Sequence, residues 1–580
     1  MTRLFNDPAA FADEMTEGFV AANGRWVRHT PGGVVRSTAT PPGSVAVVVG
    51  GGSGHYPAFA GLVGHGLADA AVIGNVFASP STQQVTAVSK AAHHGGGVLL
   101  AYGNYAGDCL NFDAAQERLR GAGIRVETVR VTDDIFSAPD TERHKRRGIA
   151  GDLVVFKVAG AAAAEGLPLE VVHALANRAN DRTRSMGVAF SGCTLPGAGT
   201  PLFTVPEGRM AIGLGIHGEP GFAEADLPTA DELATLLVER LLQELPDGVA
   251  APAGQKVAVL LNGLGSVKQE ELFVVYRRVG HLLAEAGLTV VLPEVGELCT
   301  SFDMAGVSLT LTWLDDDLER LWTAPADSPA FHRGTVHTTA AAETTETRNE
   351  TIDVVRQGSP VSQAAAVRVV AVLAAARDVI DTNVDELGRI DAVAGDGDHG
   401  IGMQRGIKAA VDAAADAQQR GAGAGTVLTE AADAWSDRAG GTSGALWGIA
   451  LRRIGQALGD EERPTPEVMA GAVRAARAGI CDTGGAQLGD KTMVDVLIPL
   501  DESFAAAVAG GASVTGAWGV AADAAESAAE ATKNLLPRMG RARPHAEKSL
   551  GTPDAGAVSM SLIARTVHTV LSTPATQTGE

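Results

Sequence analysis

Short β-branched runs that end in glycines recur through the first half of this chain and nearly vanish from the second. Residues 44–49 lead into GGGSGH at 50–55, residues 98–102 into GNYAGD at 103–108, and residues 257–261 into NGLG at 262–265. Each reads as a strand followed by a turn, with helix-like stretches between, which predicts α/β layers. Sites in such sheets form beyond the strand ends, where these glycines and polar residues sit. From about 324 to 359 the character changes, and HTTAAAETTETRNET at 337–351 is polar and aperiodic. It reads as a linker or as a solvated loop inside one domain. Beyond it, residues 364–380, 407–419, 427–438, 466–478 and 517–536 are Ala-rich with helical spacing, predicting an all-helical second half.

At 580 residues the chain is too long for one hydrophobic core. The expected division is an α/β domain of two subdomains over 1–330, a linker over 331–359 and a helical domain over 360–580. A formal charge of -22 disfavours nucleic acid and anionic membranes as partners. It does not forbid a nucleotide, because a bound divalent metal reverses the local field. The four cysteines (Cys109, Cys193, Cys299, Cys481) form no C-x-x-C pair, so neither a disulfide framework nor a structural zinc site is expected. The first residues carry early acids without an apolar run, and no segment approaches the roughly 20 apolar residues that cross a bilayer. A cytoplasmic location is expected.

Asp391, Asp396 and Asp398 fall within one Gly-rich turn after a helical stretch. Hard oxygen ligands this close repel unless a divalent cation neutralises them, and Mg²⁺ shared with nucleotide phosphates suits so few ligands. The spacing does not fit an EF-hand, and an acidic surface turn remains the alternative reading. GGTSG at 440–444 and GGAQLGDKT at 484–492 offer small residues and hydroxyls suited to phosphate or to helix capping. The second is not a P-loop, because Asp490 intrudes before Lys491 and no strand precedes it. GLGIHG at 213–218 satisfies G-x-G-x-x-G, yet Glu219-Pro220-Gly221 follows where a long helix should start, so dinucleotide binding is rejected. His217, among small neighbours, reads either as structural or as an accessible imidazole.

Taken together, GGGSGH (50–55), GNVFASPS (74–81), NYAGDCLNF (104–112), GLGIHGEPG (213–221) and LNGLGS (261–266) resemble the dihydroxyacetone kinase family in its single-chain, ATP-dependent form. In the second half the matching stretches are AGDGDHG (394–400), GGTSGALWG (440–448), GDKTMVDVLIP (489–499) and the 540–556 tail. The resemblance implies an α/β substrate domain and an all-α helical barrel that binds ATP with two Mg²⁺ ions. It makes His217 the residue that captures a small ketose as a hemiaminal. Asp108 then takes the proton of the attacking hydroxyl, with His55 as its partner, and Gly52, Ser53 and Gly54 form the substrate cradle. It also makes Asp391, Asp396 and Asp398 the metal ligands, and sets His399, Gly400, Ile401, Gly402, Thr442, Ser443, Gly484, Arg541 and Asp554 around the nucleotide.

Covalent capture of a carbonyl selects ketoses over polyols. Gly103 stands where the family often has a substrate-touching lysine, and Tyr56 and Phe59 are expected to reshape the rim. The room that Gly103 leaves points to erythrulose beside dihydroxyacetone. Arg543-Pro544-His545 departs from the family's tail. Homodimerisation with swapped domains, as in relatives, would bring the two centres together. A non-catalytic ketose sensor and an FAD-cyclising lyase are the competing functions.

Overall fold

The computed structural model describes residues 4–217, 221–335, 357–395, 397–539 and 547–573. The chain divides into two compact units, Met1–Glu346 and Thr347–Glu580.

The first unit is α/β, as expected, and is built on two sheets. In one, Ala70–Gly74, Ala46–Gly52, Val98–Gly103 and Val126–Val131 run parallel, and the antiparallel hairpin of Val27–Thr30 and Gly33–Arg36 closes one edge. The strands Ala46–Gly52 and Val98–Gly103 are buried along their whole length, which explains their unbroken apolar runs. Crossover helices Thr82–Ala92 and Ala106–Gly121 follow two of these strands. Helix Asp152–Ala164 is apolar apart from Asp152 and Lys157 and is buried for all but its last residue.

The second sheet is mixed and mostly antiparallel. Lys256–Gly263 pairs Gly306–Leu314, which pairs Thr183–Ala189, followed outward by Arg209–Ile212 and Ala223–Asp226. The described part of the G-x-G-x-x-G stretch, residues 213–217, follows the first of two antiparallel strands and is not helical. His332–Arg333 pairs Ala326–Asp327, so the start of the stretch read as linker is built into this unit. Residues 336–356 lie outside the described residues.

The second unit holds eight helices among the described residues: Pro360–Asp391, His399–Gln419, Ala424–Ala439, Gly441–Leu458, Pro466–Gly484, Val494–Ala509, Val514–Ala531 and Ala555–Ser572. Each packs on the next, and the last packs on the first, so they close into a ring around an Ala-rich core. Sequential antiparallel neighbours place every second connection at the same end. The turns after residues 419 and 458 meet the start of the first helix at one end. There Ser359 N–H donates to the Asp460 carbonyl at 2.8 Å, and the Asp460 carboxylate accepts from Thr426 N–H at 2.9 Å. The opposite end gathers the described parts of the other connections: 392–395, 397–398, 440, 485–493, 532–539 and 547–554.

Candidate active site

In the first unit the loops that leave the parallel strands at their C-terminal ends converge. Gly52 ends its strand and passes into the turn Ser53–His55. Gly74 leads to Phe77, Gly103 to Tyr105 and Asp108, and Val131 to Asp133. From the second sheet come His217, after Arg209–Ile212, and Thr300, after Glu294–Gly296.

The two histidines touch, with Nε2 of His55 and Nε2 of His217 2.9 Å apart. His55 is 1% exposed and His217 9%. The Nδ1 of His55 lies 2.8 Å from the Thr300 carbonyl, so it carries a proton and donates. With the pair uncharged, His217 donates from Nε2 and keeps its lone pair on Nδ1. With one further proton, on His55, the lone pair of His217 moves to Nε2. In the first arrangement the lone pair of His217 lies outside the pair, on Nδ1; in the second it accepts the Nε2–H of His55. Phe77 stacks on His55 at 5.1 Å between centroids, and Phe77 and Tyr105 meet His217 edge-on at 5.6 and 4.3 Å. These rings line the pair, which is nearly closed off from the surface.

Thr300 is itself held by design of the second sheet. The Asn262 side chain accepts from the N–H groups of Leu298 and Cys299, and donates to the Cys299 carbonyl at 2.8 Å. Gly265 has φ +136°, and a Cβ there would stand 2.0 Å from the Phe302 carbonyl oxygen, so only glycine serves.

Asp108 sits 7% exposed on the first turn of Ala106–Gly121, three residues beyond Tyr105, so the structure brings it to the same loop cluster as the histidines. Gly52, Ser53 and Gly54 reach the cluster too, but two of their amides are committed. Ser53 N–H donates to the Asn75 carbonyl and Gly54 N–H to that of Val76. These residues supply a close-fitting surface rather than free amide donors. Phe59 is no rim residue: it is buried and meets His55 edge-on at 6.3 Å. Tyr56 lines a separate cleft of about 430 Å³ with Ser53, Gly54, Phe302 and Glu297, and that cleft does not include the histidines.

Sequence reasoning assigned no role to Tyr105, Phe77, Thr300 or Asp152. Asp133 accepts from the N–H groups of Ile149 and Gly151, each at 2.8 Å, and so fixes the turn that presents Asp152. Burial pushes the Asp133 carboxyl up to about 6 despite these bonds.

In the second unit, the gathered end of the ring carries the residues expected around metal and nucleotide. Asp391 ends the first helix, and Asp398 precedes His399–Gln419. His399 Nε2–H donates to Ser559 Oγ at 2.9 Å, whose hydroxyl donates onward to the Gly556 carbonyl. Asp554 caps Ala555–Ser572 by accepting from Ala557 N–H at 2.7 Å. Gly400, Ile401 and Gly402 form the first turn of one helix, Thr442 and Ser443 that of another, and Gly484 ends a third. Asp396 and Arg541 lie outside the described residues.

The loop 485–493 joins two helices, with no strand before it, and Asp495 fixes it by accepting from Gly489 and Thr492 N–H. Lys491 Nζ donates to Ser549 Oγ and the Ser549 carbonyl, so it ties loops together instead of reaching outward.

Removal from water, then Asp391, pushes the Asp398 carboxyl up, although one edge of it stays exposed. Burial, then Asp391 and Asp495, raises Asp554 likewise. Carboxylates that crowd one another this way fit a hard divalent cation. Among the described residues no group of three such side chains is already closed around one point.

A buried imidazole pair on an α/β unit, and clustered carboxylates on a separate helical ring, are features of a two-domain small-molecule kinase. The Dak1 domain family matches residues 17–330, and the DAK2 domain family matches 393–569. An L-erythrulose kinase of Pectobacterium atrosepticum is 59% identical, covering 100% of this chain and 98% of its own. A D-erythrulose kinase of Mycolicibacterium smegmatis is 53% identical, covering 98% of each. The structure of the C. freundii dihydroxyacetone kinase with AMP-PNP and Mg²⁺ aligns at a TM-score of 0.52 and 29% identity, over 98% of this chain and 99% of that one. This chain belongs to the dihydroxyacetone kinase family.

Proposed function

We propose that this chain transfers a phosphoryl group from ATP to a four-carbon ketose, erythrulose, with dihydroxyacetone as the lesser substrate. The observation that carries the reading is full-length identity of 59% and 53% to two erythrulose kinases. The absence of a side chain at Gly103 supports it. Because those relatives are named for opposite enantiomers, the preferred hand is left to experiment.

The lone-pair nitrogen of His217 adds to the ketone carbon, and the carbonyl oxygen takes up a proton to give the hemiaminal. His55, held by Thr300, exchanges a proton with His217 over 2.9 Å and keeps the ring neutral for that step. Asp108 takes the proton of the hydroxyl that attacks the γ-phosphorus. Asp391, Asp396 and Asp398 would hold two Mg²⁺ ions, which supply charge neutralisation on the phosphates. His399–Gly402, Thr442, Ser443, Gly484, Arg541 and Asp554 would border the nucleotide. A cytoplasmic homodimer that brings the substrate domain of one copy to the helical domain of the other completes the reading.

The test is ADP release with Mg²⁺-ATP against dihydroxyacetone, D- and L-erythrulose, glyceraldehyde and glycerol. Turnover confined to ketoses, with an erythrulose preferred, is expected. No ketose-dependent ADP release would overturn the proposal.

A further inference from the structure

The LNGLGS turn at 261–266 has no part in the reaction as described. It ends strand Lys256–Gly263, and its Asn262 is fully buried. The Asn262 amide is bonded on both sides. Its Oδ1 accepts from Leu298 N–H at 2.8 Å and from Cys299 N–H at 3.0 Å. Its Nδ2 donates to the Cys299 carbonyl at 2.8 Å and to Ser308 Oγ at 3.1 Å. These four bonds fill the capacity of one amide, two donors and two lone pairs.

The rest of the turn grips the same segment further along. The Leu264 carbonyl accepts from Ser301 N–H at 2.9 Å, and Ser266 N–H donates to the Met304 carbonyl at 3.1 Å. Thr300 stands between these anchors, and it faces the other way. Its N–H donates to the His55 carbonyl at 3.2 Å, and its carbonyl accepts from His55 Nδ1 at 2.8 Å. Its hydroxyl donates to the Tyr56 carbonyl at 2.9 Å, and Phe302 N–H donates to the Gly54 carbonyl at 3.0 Å. Residues 298–304 are thus a strap with one edge on Asn262 and its turn and the other on the histidine turn.

What this strap presents to His55 decides where the protons of the pair sit. In an imidazole, the bond made by one nitrogen sets which nitrogen carries the proton. A carbonyl at Nδ1 holds a proton there, so neutral His55 turns the lone pair of Nε2 toward His217. The lone pair of neutral His217 then falls outside the pair. With the Thr300 carbonyl turned away, His55 can carry its proton on Nε2 and give it to His217. The His217 lone pair is then taken up by His55 and is withdrawn from a ketone.

We propose that Asn262 is a positioning residue for the ketose-capturing histidine, holding the Thr300 carbonyl on His55 Nδ1 and so keeping the lone pair of neutral His217 outside the pair. Its part in turnover rests on the ketose kinase reading above, whereas its hold on the His55 proton does not.

The experiment compares full-length wild type with Asn262→Ala, Asn262→Ser and Ser308→Ala, with folding checked by circular dichroism. ADP release with the better erythrulose enantiomer gives kcat/KM. Nitrogen NMR on protein labelled with ¹⁵N-histidine, taken without substrate, reads which ring nitrogen carries the proton, and His55→Gln identifies the His55 signals. Asn262→Ala should lower kcat/KM by about 10²-fold, the scale of a misplacement acting from outside the reacting atoms. It should also mix the two tautomers at His55. Asn262→Ser, too short to span Leu298 and Cys299, should show the same signature at about tenfold, and it decides the matter should Asn262→Ala not fold. Ser308→Ala removes one bond from the same amide and none from the strap. It should stay within about threefold of wild type with the wild-type tautomer.

Wild-type His55 signals in the folded Asn262 variants overturn the assignment whatever their activity. A mixed tautomer with undiminished ketose turnover overturns it too, as does a Ser308→Ala variant that matches Asn262→Ala in both readouts. A wild type that turns over no ketose overturns the kinase reading, and the nitrogen signals still decide the hold of Asn262 on His55.

Discussion

The substrate end of the first unit and the gathered end of the helical ring solve opposite problems. His55, His217, Asp108 and Asp152 are all at most 9% exposed, and aromatic rings or other acids surround them. Thr442, Asp398 and Ile401 at the ring end stay open to solvent. A very small ketose offers little binding surface, which suits an enclosed site and the covalent hold proposed for His217. A nucleotide brings its own charge and area, and an open rim of helix starts and carboxylates suffices to receive it. The buried site should therefore fail through chemistry and the open site through affinity.

His217→Ala is expected to break the buried site most completely. Turnover should fall by about 10³-fold or more while nucleotide binding, followed by calorimetry, is unchanged. Substantial activity in this variant would remove the covalent step. Asp108→Asn should come next, lowering kcat by about 10²–10⁴-fold with little change in KM. Ketose capture by His217, followed by mass spectrometry, should persist in it. A loss confined to KM would make Asp108 a binding group only.

At the open site, Asp398→Ala should weaken Mg²⁺-dependent nucleotide binding by about 10²-fold and leave ketose capture intact. Removing the metal with chelator should mimic the variant in the wild type. If Asp398→Ala instead abolished ketose capture, the separation of the two sites into independent modes of failure would collapse.

The sequence made the two architectures readable for different reasons. Residues 44–55 betray a buried strand and its turn because the apolar run and the glycines are contiguous. The Ala-rich helices betray themselves by spacing. Helices Gly441–Leu458 and Val494–Ala509 were harder to see, since the first opens on glycines and the second contains Pro499. The antiparallel second sheet was not readable as such, because Gly306–Leu314 is buried throughout and loses the alternation that marks a half-exposed strand.

Individual site residues followed the same logic. The carboxylates Asp391 and Asp398 lie close in sequence, so their repulsion could be inferred without a fold. His55 and His217 are 162 positions apart, and only the meeting of two sheets pairs them. Asp152 carried even less signal. An acid before an apolar helix reads as an ordinary first-turn residue favoured by the helix dipole, and its lack of partners exists only once Gly103 and Gly148 have closed around it.

That closure has a cost that pH can reveal, and it supplies the smallest effect on the comparison. A carboxyl whose pKa is raised on folding binds more protons in the native than in the unfolded state. Stability then falls as pH rises from about 4, the unfolded value, until the folded value is reached. For one such group the slope is at most about 1.4 kcal/mol per pH unit. Asp152, Asp133 and Asp554 all carry shifts of this sign, but only Asp152 has no bond that favours its charged form. Asp152→Asn removes the ionisation while keeping the shape. The variant should therefore gain on the wild type as pH is raised from 5 to 8, by about 2–4 °C in Tm per kcal/mol for a unit of this size. Calorimetric scans at several pH values in that window test it. A difference that stays constant with pH would mean the Asp152 side chain finds charge compensation in the folded protein, and the enclosed site would then be less dry than its aromatic walls imply.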